Sequence, residues 1–121
     1  MIDNFEKITC RLSEYEKNIL LPAVVEILKA CQGKAKAITN KRMIRHHLQK
    51  YAVNPIRLRK VLHRIRTEGM VEGLMASSKG YYVADNREEL EKYVASLEGR
   101  IRAQQHLRDN IKKQLGKMFP A

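Results

Sequence analysis

The run Asn54–Gly69, "NPIRLRKVLHRIRTEG", leaves the chain little choice of local fold. Asn54 supplies an N-cap oxygen, and Pro55 occupies the first helical position, where its missing N–H costs nothing. Gly69 supplies the stop. Between them Leu58, Val61, Leu62 and Ile65 recur at spacings of three and four, so they share one arc at 100° per residue. The spacing predicts a helix running to about Glu68 with that arc in a core. The opposite arc carries Ile56, Arg59, Lys60, His63 and Thr67, with Arg57 and Arg64 at one border and Arg66 at the other.

This helix lies in a longer acid-free window. From Gln32 to Thr67 there is no Asp or Glu, yet eleven of the chain's 24 Lys and Arg fall there, against 13 acids elsewhere. The net charge of +11 therefore resides in one contiguous segment. A solvated structural face mixes signs, because like charges repel. A one-sign block points to a polyanionic partner.

At 121 residues the chain is the size of one compact domain with an appendage. No apolar run approaches the roughly 20 residues of a membrane span. The opening "MIDNFEKITC" lacks the apolar core of a secretory signal, which implies a cytoplasmic protein. Cys10 and Cys31 fit no zinc spacing and are expected reduced, Cys31 as a small apolar helix residue. His46 and His47 are adjacent and diverge by 100° on a helix, and His63 and His106 have no spaced partner. No phosphate loop, carboxylate pair or nucleophile beside a base is present, so neither an enzyme nor a metal or cofactor site is expected.

Upstream, Ser13 and Glu16 form a capping box that opens a first helix. Leu20, Val24, Ile27, Leu28 and Cys31 give it a buried stripe, Pro22 predicts a kink or a loosened turn, and Gly33 is the expected stop. "GKAKA" is a basic loop. Thr39 or Asn40 caps a second helix, "KRMIRHHLQKY", whose expected inner face is Ile44, Leu48 and Tyr51. Downstream of the third helix, "GLMA" and "GYYVA" have no helical period, and "SSKG" between them predicts a hairpin turn.

Three helices followed by a hairpin resemble the winged-helix (helix-turn-helix) DNA-binding family, over roughly Ser13 to Asp85. "SSKGYYVA" is similar to that family's second wing strand. The resemblance implies that the third helix enters the major groove of double-stranded DNA through Ile56, Arg57, Arg59, Lys60, His63 and Arg64. It implies wing contacts from Ser77, Ser78 and Lys79. Lys34, Lys36, Lys41, Arg42 and Arg45, in the basic stretch before and along the second helix, are expected to contact the DNA as well, the lysines at phosphate. More narrowly, "LSEYEKNILLP", "AITN" and "SSKGYYVADNREELEKYVASLEGRI" resemble small proteins encoded by phages and prophages. These likenesses imply a transcriptional regulator or phage accessory factor. The fold also serves protein adaptors in phage replication or assembly, which stays open as an alternative. RNA is disfavoured, because the A-form major groove is too deep and narrow for a helix.

Residues 86–121 read differently from residues 1–85. Asp85 or Asn86 caps a last helix with Glu88, Glu89 and Glu91 in its first turns and Lys112, Lys113 and Lys117 at its far end, as the helix dipole prefers. Leu90, Val94, Leu97, Ile101, Ile111 and Leu115 follow a heptad seam, with Gln104 and Arg108 at seam positions in its middle. A helix of about 30 residues spans about 45 Å. Its seam predicts a homodimer, with a hinge near Gly99 as the alternative. The fold class expected is mainly α with a small β-hairpin: a winged helix-turn-helix followed by a long C-terminal helix.

Overall fold

A computed structural model describes residues 11–121. Cys10 and the opening segment lie outside the described residues. The chain is mainly helical, with one two-stranded antiparallel hairpin and a long C-terminal helix. The described residues divide into two compact units that part between Asp85 and Asn86.

The first helical segment opens on the expected capping box. The Ser13 N–H donates to Glu16 Oε1 at 2.8 Å, and the Glu16 N–H donates to Ser13 Oγ at 3.2 Å. The loosened turn is a π-helix, Glu16–Leu20, in which the Leu21 N–H reaches back five residues to the Glu16 carbonyl. It precedes Pro22, whose missing N–H forfeits a backbone bond that the wider turn accommodates. α1 (Leu21–Lys29) follows.

Gly33 is not the stop: the helix ends at Lys29, with Ala30 as its C-cap. Cys31 therefore lies beyond the helix, although it is buried as an apolar residue and its Sγ meets the Ile27 carbonyl at 3.3 Å. Gly33 has φ +87°, and a Cβ there would lie 2.5 Å from Asp85 Oδ2. Its left-handed φ, rather than a helix end, calls for glycine, since the Asp85 carboxylate is a side-chain tip that can swing aside. A 3₁₀ turn follows at Lys34–Lys36.

α2 (Asn40–His46) is capped by Thr39, whose Oγ1 accepts from the Arg42 N–H at 3.1 Å. It is shorter than its pattern suggests, and its inner face is Met43 rather than Ile44. Leu48 is buried just past its end, while Ile44 and Tyr51 are only half-buried. α3 (Pro55–Thr67) follows its sequence pattern closely. Asn54 Oδ1 accepts from the Arg57 N–H at 2.8 Å, Pro55 leads, and Leu58, Val61, Leu62 and Ile65 are buried. α3 packs on α1, on α2 and on the π-turn, so its four aliphatic residues hold the first unit together. Each such buried side chain is worth about 1.5–3 kcal/mol.

β1 (Leu74–Ser77) pairs antiparallel with β2 (Gly80–Val83), Met75 opposite Tyr82 and Ser77 opposite Gly80. The turn is thus Ser78–Lys79. Ser77 Oγ stitches it, accepting from the Lys79 N–H and donating to the Gly80 carbonyl. The free edge of β2 is taken up by the loop before α2. Ile38 and Tyr81 exchange backbone hydrogen bonds of 3.0 and 2.8 Å, and Val83 bonds both Cys31 and Gly33. The sequence offers no hint of this third partner.

Gly80 is where hairpin and loop touch. It has φ +116°, and a Cβ would lie 2.3 Å from the Ile38 carbonyl oxygen. Backbone cannot swing aside as a side chain can. Gly80→Ala is expected to cost at least ~2 kcal/mol and lower the melting temperature visibly by circular dichroism. An unchanged melting curve would mean that the hairpin does not lean on Ile38.

In the second unit, α4 (Arg87–Met118) is capped by Asn86, whose Oδ1 accepts from the Glu89 N–H at 3.0 Å. The helix is continuous through Gly99, so there is no hinge at that residue. None of its residues is buried.

Candidate nucleic-acid interface

The cations of the acid-free window do not behave alike once folded. Glu16 decides the difference. Its carboxylate, part of the capping box, is 3% exposed. Arg57 Nε lies 2.8 Å from Oε2, and Lys60 Nζ lies 3.1 Å from Oε1. Arg57 also donates through Nη1 to the Ala52 carbonyl at 2.7 Å and stacks over the Tyr15 ring at 5.3 Å. The Tyr15 hydroxyl in turn accepts from the Ala52 N–H at 2.8 Å. These bonds tie the first helical segment to α3 and to the α2–α3 connection.

Burial alone would raise the Glu16 pKa. The Ser13 N–H, Arg57 and Lys60 together outweigh it and hold the carboxyl down to about 2. Glu16 is therefore charged at any ordinary pH, and two of the expected groove contacts are committed to it.

Other members of the window are differently placed. Arg64 pairs with Glu68 one turn on at 3.1 Å, an exposed i,i+4 pair of small worth. The Arg66 guanidinium lies over the Tyr81 ring at 5.8 Å. Arg59 reaches only its own helix, with Nε 3.4 Å from the Pro55 carbonyl. Ile56, Arg59, His63 and Thr67 are exposed along the outer side of α3.

Lys34 and Lys36 project from the 3₁₀ turn, Lys41, Arg42 and Arg45 from α2, and Lys50 from the segment beyond it, all exposed. Among the described residues no carboxylate lies within salt-bridge distance of these six or of Arg59. Ser77, Ser78 and Lys79 are exposed at the hairpin turn, with the Ser77 hydroxyl engaged in the turn itself.

Comparison with protein-family models, with curated proteins and with solved structures finds no match for this chain. The residues alone therefore carry the functional reading.

A cleft lies between the end of α1 and α2, lined by Ile27, Cys31, Ile38, Lys36, Arg42 and His47 among others. Burial pushes the Cys31 thiol pKa up against the pull of Lys36, which keeps it protonated and a poor nucleophile. Among the described residues no group of three or more His, Cys, Asp or Glu could hold a metal ion.

Two residues that the structure brings forward, Lys50 and Glu16, were not among the expected contacts, although Lys50 lies in the acid-free window. Lys50 belongs with the exposed cations but follows a helix end that the pattern placed later. Glu16 is legible as a capping residue, yet nothing local marks it as the partner of residues 41 and 44 positions away.

Proposed function

We propose that this chain is a non-enzymatic winged-helix protein that binds double-stranded DNA, as a regulator or phage accessory factor, with α3 in the major groove. The observation that carries this is the division of labour among the cations. The fold consumes Arg57 and Lys60 internally and leaves Arg59 and six flanking cations exposed without carboxylate partners among the described residues. A helix with an apolar inner arc and an exposed basic outer side fits the major groove of B-DNA. The hairpin after α3 takes the place of the wing, and the β2 edge that pairs with Ile38 supports the same reading.

In this reading Arg59, His63 and Ile56 meet base edges. Lys34, Lys36, Lys41, Arg42 and Arg45 hold phosphate, and Ser78 and Lys79 touch the backbone lightly. Arg57 and Lys60 act as struts that set the angle of α3, and Arg64 is available because its pair with Glu68 opens readily in water. Two copies join through α4, and the protein acts in the cytoplasm.

Selection on random duplexes, read by sequencing, tests the assignment. Arg59→Ala is expected to relax discrimination at one or two positions by about 1–3 kcal/mol. Lys36→Ala is expected to weaken all sequences alike. Unchanged preference in the first variant together with changed preference in the second would refute this docking.

A further inference from the structure

α4 presents a stripe of apolar side chains that its own unit does not cover. Ile101 and Leu115 are 56% and 59% exposed. From Leu90 to Met118 the stripe steps strictly by four and three, which is a heptad seam. Its two polar members, Gln104 and Arg108, are consecutive seam positions near the middle.

Those two residues discriminate between ways of pairing. In a parallel pair in register, every seam residue meets its own copy. Arg108 would then face the partner's Arg108 inside the interface, two like charges removed from water. In an antiparallel pair a seam residue meets one from the opposite end. One register sets Gln104 against the partner's Arg108, Ile101 against the partner's Ile111, Leu97 against the partner's Leu115 and Val94 against the partner's Met118. Apolar then meets apolar in those layers, and the Gln104 amide oxygen can accept from the partner's guanidinium. Sliding one copy by a heptad either way sets Gln104 or Arg108 against an aliphatic residue.

Residues 100–117 carry six cations and one carboxylate. A parallel pair sets all six beside their own copies. In the antiparallel register residues 94–118 of the two copies overlap, which moves Lys113 and Lys117 past the partner's basic stretch and leaves Glu88, Glu89 and Glu91 beyond the end of the partner's helix. Glu98, flanking the seam, falls beside the partner's Lys112. Opposed helix dipoles add to the preference. Leu107, 54% exposed and one residue off the seam, has no role in α4 alone. In this register it sits by the two-fold axis, beside the partner's Leu107.

We infer that α4 pairs with a second copy of itself in antiparallel orientation, with Gln104 against the partner's Arg108 and the two-fold axis near His106. The inference rests on the proposed joining of two chains through α4 and not on DNA binding. The two first units are then attached near opposite ends of the pair, not side by side.

A spin-label distance decides it. A nitroxide is placed at Glu88→Cys, on the face away from the seam, in the full chain with Cys10→Ser and Cys31→Ala. Light scattering establishes the mass, and circular dichroism establishes that the variant folds. The expected result is a dimer with labels about 54 Å apart along the axis, from 1.5 Å per residue. A dimer with labels within about 20 Å is parallel and overturns the orientation. Distances near ~43 or ~64 Å mean a heptad slip and overturn the Gln104–Arg108 pairing. A monomer at micromolar concentration overturns the joining through α4 itself.

Discussion

Glu16→Ala should be the most damaging single substitution outside the aliphatic core. The carboxylate is almost fully buried and holds Arg57, Lys60 and the Ser13 N–H at once. Removing one partner of a buried pair costs about 3–5 kcal/mol, because the other charge is left uncompensated. Arg57 and Lys60 keep 32% and 24% side-chain exposure, so water relieves part of that cost and the lower end applies. A loss of about 3 kcal/mol lowers the melting temperature of a domain this size by roughly 12–24 °C.

The acid side follows with a definite sign. The folded Glu16 pKa, about 2, is depressed from an ordinary value of 4.5. Its contribution is therefore complete above about pH 5 and is lost as pH falls towards 2, for a total of about 3 kcal/mol. Glu16→Gln should be destabilised at pH 7 and should lack this part of the acid transition. Urea denaturation of wild type and variant at pH 7 and pH 3 measures both. A variant as stable as wild type at pH 7 would show that the Glu16 cluster does not hold α3 in place.

The parts of the fold that the sequence announced are those where several local signals coincide. In α3 an N-cap, a first-turn proline, a glycine stop and four aliphatic residues at helical spacing agree, and the helix forms where they say. The hairpin is marked by Ser and Gly at its turn and by strand-formers on both sides. α2 was legible only at its start. Thr39 marks the cap, but Met43 and Ile44 both fit an apolar stripe, and packing on α3 chooses Met43. The pairing of Cys31–Gly33 and Ile38 with β2 joins isolated residues to a strand far along the chain, and single bridges leave no periodicity.

The candidate interface divides in the same way. The acid-free window was plain from composition. Which of its cations remain available depends on Glu16, a residue distant in sequence and ordinary in its local role. A helical wheel puts Lys60 on the outer arc of α3, and it cannot show that a long flexible side chain turns back to a buried carboxylate.

The central claim, that the exposed cations serve double-stranded DNA, meets its most direct test in a salt titration of affinity. With Arg57 and Lys60 engaged by Glu16, about five phosphates are expected to be neutralised by each engaged copy. The slope of log K against log salt is then about −4.5 per copy, and affinity falls roughly 500-fold between 50 and 200 mM salt. Lys34→Ala and Lys41→Ala should each lower the slope by about 1. Fluorescence anisotropy with a labelled duplex of about 20 base pairs reads the constant directly. A slope near −4.5 for each copy bound is the expected result. Absent binding at 50 mM salt, or a slope shallower than about −2 at any stoichiometry, would contradict the account and turn the basic face towards an acidic protein partner instead.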